Sequence, residues 1–133
     1  MMEWELETVR FDPLPRRTSA IAFSSEQASA LLEIPSEEQY FVRVSLSDEN
    51  VSWGEFELWC SGARALARIL EHREHEARDP EAESAGLGDV TFKDVDGSHF
   101  TVTFAETVPR ERAAEAARAW VRDQEHPSVL VWS

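Results

Sequence analysis

Apolar and acidic residues alternate at the start of the chain, with Trp4, Leu6 and Thr8 on one side and Glu3, Glu5 and Glu7 on the other. Period two marks a strand buried on one face. Phe11 to Arg17 carries Pro13 and Pro15 and reads as a loop, and Ile21 to Phe23 as a short strand. Ser24 followed by Gln27 is a capping-box signature. It opens a helix over about Ser25 to Glu33, with Ala28, Leu31 and Leu32 on one face and Pro35 as its stop. Tyr40, Val42, Val44 and Leu46 alternate on a clear strand, and the "SDEN" that follows is turn chemistry. Gly54 to Cys60 is the next strand: Phe56, Leu58 and Cys60 share its apolar face, while Glu55, Glu57 and Trp59 lie on the other.

Beyond Cys60 the period changes. Ser61 is placed to cap a helix reaching about Ala77, with Ala65, Leu66, Ile69 and Leu70 as its stripe. Arg78 to Gly88 is polar, contains Pro80 and two glycines, and reads as a mobile loop. A hairpin follows, and its register can be argued. A two-residue Asp96-Gly97 turn sets Phe92 against Thr101, mixing apolar with polar. A three-residue loop, Val95-Asp96-Gly97, sets Phe92 against Phe100 and Val90 against Val102, keeping one face apolar. The second is preferred, with Gly97 in the left-handed position. In the last helix Pro109 stands in the first turn, and Ala113, Ala117, Trp120 and Val121 recur at helical spacing. Pro127 ends the connection, and the apolar "SVLVWS" reads as a strand. Together these elements predict a single α+β domain over residues 1–133. Its expected form is a mainly antiparallel sheet of about five or six strands with two or three helices packed on one face.

Charge changes the picture more than composition does. The 133 residues include 26 acidic and 13 basic ones, a net charge of −13. That argues against a nucleic-acid backbone or an anionic membrane as partner and favours a cationic protein surface. Simple solubility requires less charge. Salt adaptation competes as an explanation, since a single Lys (Lys93) stands against 12 Arg. The one cysteine excludes an internal disulfide. The first ten residues are acidic where a secretory leader is basic and then apolar, so the expected location is cytoplasmic.

No glycine-rich phosphate loop, dinucleotide fingerprint or nucleophile elbow is present, and no cofactor is expected. His72 and His75, three apart on the expected helix, lack a clear third metal ligand; they are read as complementing the helix's negative end, with no metal. Cys60 shares a strand face with Phe56 and Leu58, so it is read as core in preference to a nucleophile. The more useful surface is the opposite strand face, where Trp53, Glu55, Glu57 and Trp59 are joined by Phe41, Arg43 and Ser45. Uncovered, it combines aromatic groups with carboxylates and suits a basic protein; covered by other segments, it leaves only the glutamates wet. Glu74, Asp79, Glu81 and Glu83, from the acidic run Glu71 to Glu83, are further candidate contacts.

The stretch "VPRERAAEAARAWVRDQEHPSVLVWS", Val108 to Ser133, resembles the closing helix and strand of bacterial immunity proteins that neutralise polymorphic toxins, notably deaminase-type ones. The matching residues are Pro109, Glu111, the Ala-rich run Ala113 to Ala119, Trp120, Pro127, Leu130 and Trp132-Ser133. The resemblance implies a cytoplasmic, non-enzymatic inhibitor that binds a cognate toxin domain and blocks its active site or substrate entry. Two other classes remain open: an adaptor in a secretion or regulatory assembly, and a small enzyme using Cys60 or His72 and His75.

Overall fold

The computed structural model describes residues 1–11, 14–49, 51–79 and 88–133. In chain order the elements are β1 (Met2–Phe11), β2 (Pro15–Ala22), α1 (Ser25–Leu31), β3 (Tyr40–Asp48), β4 (Val51–Ser61), β5 (Arg64–Leu70) and β6 (Glu74–Arg78). After these come β7 (Asp89–Lys93), β8 (His99–Thr103), a single 3₁₀ turn (Phe104–Glu106), β9 (Val108–Pro109), α2 (Arg110–Asp123) and β10 (Val131–Trp132).

One antiparallel sheet runs in the order β10-β6-β5-β4-β3-β1-β2, with β9 also pairing with β5. β7 and β8 form a separate two-stranded hairpin. The expected sheet of five or six strands, with two or three helices, is therefore corrected: the described residues form ten strands and two α-helices.

Most of the excess comes from Ser61 to Ala77, expected as a helix and observed as β5 and β6. The sequence "RALARIL" satisfies both periods, because Ala65, Ala67 and Ile69 face one way and Leu66 the other, and all four are buried. A strand covered on both faces reads as a continuous apolar run, which periodicity alone cannot tell from a helix. Packing decided the matter against the helix preference of Ala, Leu and Arg. β2 is longer than the short strand expected at its end. It is an edge strand with a mostly exposed pattern, where a proline at the first residue is tolerated. The expected loop of Phe11 to Arg17 is accordingly shorter, and Asp12 and Pro13 lie outside the described residues.

Both helices lie on one face of the sheet. Ala28 of α1 and Ala113, Ala116, Ala117, Trp120 and Val121 of α2 join Trp4, Leu6, Tyr40, Val42, Val44, Phe56, Leu58, Cys60 and Ile69 in the main core. Small alanines let α2 approach closely, and Trp120 fills the gap against Phe56, ring centroids 6.0 Å apart. Ser24 caps α1 as expected, its hydroxyl accepting from the Gln27 amide while the Gln27 side chain accepts from Phe23 N–H. Pro109 stands one residue earlier than expected, at the N-cap of α2.

The β7–β8 hairpin covers part of the opposite face. Its register is Val90 to Val102 and Phe92 to Phe100, as the apolar pattern requires. The loop closes through Asp94 N–H to the Ser98 carbonyl, 2.7 Å, and Gly97 N–H to the Asp94 carbonyl, 2.9 Å, with Gly97 at φ 88°. The hairpin's apolar side seals a second core of Val9, Phe11, Phe41, Trp59, Leu66 and Phe92.

Candidate functional site

The hairpin divides the outer face of the sheet in two. Cross-strand register places Val9, Phe41, Trp59 and Leu66 in one row, and this row is covered. Two residues further along, the next row reads Glu7, Arg43, Glu57, Arg68 and Glu76 across β1, β3, β4, β5 and β6. The row beyond that holds Glu5, Ser45, Glu55, Leu70 and Glu74. Period-two alternation puts them all on the side away from the helices.

Arg43 is the centre of this surface. Its Nη2 donates to Glu57 Oε2 at 2.8 Å and its Nε to the same oxygen at 3.1 Å. Glu55 and Glu7 stand 3.7 Å away on either side. Burial on its own lowers the guanidinium's pKa, but the hydrogen bond and charge of Glu57, with Glu55 and Glu7, raise it overall. Arg68 repeats the arrangement one strand on, 3.2 Å from Glu74 and 3.7 Å from Glu76, with its guanidinium 4.9 Å from the Trp59 ring centre. Such pairs fix the side chains across strands. Arg17 also joins Glu7 at 3.3 Å and Arg78 joins Glu76 at 3.1 Å, so the six carboxylates Glu5, Glu7, Glu55, Glu57, Glu74 and Glu76 meet four guanidiniums and the face keeps a modest negative excess.

The sequence candidates separate into distinct roles. Glu55 and Glu74 lie on the open face, and β6 brings Glu74 into the row of Glu55 despite their separation along the chain. Glu57 is only 6% exposed and is held by Arg43. Trp59 is buried under the hairpin, Phe100 meeting its ring edge-on at 6.1 Å, so it is no anchor for a partner. Trp53 is 61% exposed for a particular reason. Leu46 pairs with Gly54 and Ser47 with Ser52, leaving Trp53 as the extra residue of a β-bulge. Phe23, one residue beyond β2 at the same end of the sheet, is 57% exposed. The Asp79 side chain is only 8% exposed and accepts from Arg112 Nη1 at 2.7 Å, which ties β6's end to α2. Glu81 and Glu83, with residues 80–87 of the expected Arg78–Gly88 loop, lie outside the described residues, while Arg78 belongs to β6.

Cys60 sits in the main core, where burial pushes its thiol up to about 12 despite the opposing charge of Arg110. A nucleophilic thiol needs the reverse. His72 and His75 are not on a helix: His72 lies in the turn between β5 and β6, and His75 on β6. A cleft of about 450 Å³ beside the start of α2 is lined by Pro35, Arg110 and Arg118 among others. Arg110 already donates to the carbonyls of Gly62 and Pro35, so its guanidinium braces the β4–β5 turn against the helix start.

The carboxylate rows are not legible in the sequence as an assembly, because no local signal says which strands adjoin. The Gly62-Ala63 pair between apolar runs is the available clue, since glycine followed by another residue is a two-residue hairpin loop. The chain matches no protein-family model and no curated protein. The immunity-protein resemblance of Val108 to Ser133 thus rests on that segment's own residues. Among the described residues no helix is long and apolar enough to cross a membrane.

Proposed function

We propose that this chain is an immunity-type inhibitor that binds a bacterial toxin domain acting on nucleic acid, in the cytoplasm, and occludes its active site or substrate entry. The observation carrying the reading is the open sheet face, where carboxylates from β1, β4 and β6 are presented in register on rigid backbone. Proteins that act on nucleic acids gather Lys and Arg where the phosphates lie. A preorganised anionic face competes for that same surface with little ordering cost on binding. Trp53 and Phe23 stand exposed at one end of the face, where aromatic groups supply the desolvated contacts that charge alone does not. The remaining field of a −13 chain accelerates encounter with a basic partner.

The test is co-expression and purification with the toxin domain encoded beside it. The expected outcome is restored growth and a stoichiometric complex whose association slows as salt rises. Glu5→Lys, Glu55→Lys and Glu74→Lys combined are expected to slow association by about 10-fold or more at low salt. Trp53→Ala is expected to act mainly on dissociation. Absence of any complex at moderate salt rejects the reading, and a complex indifferent to these changes moves the interface off the sheet face.

A further inference from the structure

We propose that Glu71, His75 and His126 form a binding site for a divalent transition metal of the zinc class, which clasps the segment after α2 to β6 and the turn before it. The three residues come from separate parts of the chain: the turn after β5, β6 itself, and the segment following α2. One ligand atom from each lies within 4.8 Å of the other two. His126 Nε2 and Glu71 Oε1 are 3.4 Å apart. That is long for a hydrogen bond, yet it equals the edge of a tetrahedron whose metal–ligand distances are about 2.0–2.1 Å. Closing the third ligand onto the same centre takes a shift of at most about 1.5 Å, within reach of a side-chain rotation.

The surroundings orient the ligands as metal sites do. His75 Nδ1 lies 2.7 Å from the Ser133 carbonyl oxygen. A carbonyl only accepts, so Nδ1 carries the proton and Nε2 keeps its lone pair free for a cation. This is the outer-shell bond that ordinarily fixes the tautomer of a ligating histidine. The His75 and His126 rings stand 4.5 Å apart at 63°, so they converge edgewise instead of stacking. His126 is brought there by the left-handed turn at Gln124, whose N–H returns to the Trp120 carbonyl and reverses the chain. Trp132 closes one side, its ring centre 6.1 Å from that of His126. Two imidazoles and one carboxylate match the donor set of zinc, and three protein ligands leave a fourth position open. His72, next to Glu71 in sequence, is not a member of the group.

This site is independent of the inhibitor reading, since it is tested on the protein alone. Protein stripped with a chelator is titrated with Zn²⁺ by calorimetry and with Co²⁺ by visible absorption. The expected result is one equivalent bound, the d–d spectrum of a four-coordinate cobalt centre, and a higher Tm with metal than without. His126→Ala and His75→Ala are expected to weaken binding by about 100-fold or more, with Glu71→Gln weakening it less and His72→Ala leaving it unchanged. The His126 side chain is 35% exposed and lies outside the helices and strands, so its variant is expected to keep the fold, which far-UV dichroism of the metal-free form checks. Substoichiometric binding, or binding that survives His126→Ala but is lost in His72→Ala, overturns the proposal.

Discussion

Arg43 and Glu57 show how a single residue on the open face can belong to stability as much as to recognition. Glu57 is nearly buried, and its carboxylate is compensated by the two hydrogen bonds from Arg43. Removing only the cation leaves an uncompensated charge, which is worse than removing both. Arg43→Ala is expected to cost about 2 kcal/mol in urea denaturation, discounted from fully buried pairs because the guanidinium is partly solvated. Arg43→Ala with Glu57→Gln should recover much of that loss. Equal losses in the single and double variants would show that the pair contributes packing alone. Cys60 and Tyr40 make a second prediction at this scale. Burial pushes both side chains up to about 12, and Tyr40 also donates to the Glu33 carbonyl. The unfolded chain ionises them near 9.0 and 10.0, so above about pH 9 it binds fewer protons than the fold. Stability is fully present below that point and falls as pH rises towards 12. Chemical denaturation between pH 8 and about 11 measures the fall, and Cys60→Ala should make it shallower.

At the scale of elements, the β7–β8 hairpin is the lid of the second core. Its pattern and register were legible locally, because only one loop length keeps Val90, Phe92, Phe100 and Val102 on one side. What that side covers was not legible, since the partners Val9, Phe41, Trp59 and Leu66 come from four other strands. Phe92 is fully buried, and Phe92→Ala is expected to destabilise by about 3–5 kcal/mol and to bind a hydrophobic dye over the uncovered Trp59. Thermal melts with the dye present check both effects. A loss below about 1 kcal/mol would mean that the hairpin rides on the sheet without sealing it. The β4–β5 connection offers a narrower test. Gly62 has φ 55°, and a methyl group added there would meet open space, so Gly62→Ala brings only backbone strain. A cost of about 1–2 kcal/mol is expected, read from the urea midpoint.

For the whole molecule, the distribution of charge matters more than its total. The face carrying the helices is sealed by alanines and Trp120, and half of the other face is sealed by the hairpin. The uncovered half gathers carboxylates from β1, β4 and β6. Raising salt is expected to affect binding to a basic partner far more than folding, because the exposed charges on this face repel one another modestly while acting together at a distance. Parallel measurement of Tm and association rate over a salt series separates the two. A Tm that climbs steeply with salt, with no matching effect on association, would instead favour adaptation to a saline interior as the origin of the −13 charge.

The sequence by itself determined the features whose patterns have one solution: the alternating strands β1, β3 and β4, the N-cap of α1, the hairpin register and the alanine stripe of α2. Local chemistry suffices there, because the period, the cap or the turn admits no second reading. The α1 helix itself ends at Leu31, short of the expected Glu33, and leaves Leu31 exposed. Tertiary structure alone decided that Arg64–Leu70 is a strand, since a run apolar on both faces fits a helix equally well until layers form on either side. It also decided that Trp59 is covered, that Glu74 joins Glu55, and that His126 meets His75. Those outcomes depend on which strands adjoin and where the chain returns, and contacts between residues far apart in sequence leave no mark on the local pattern.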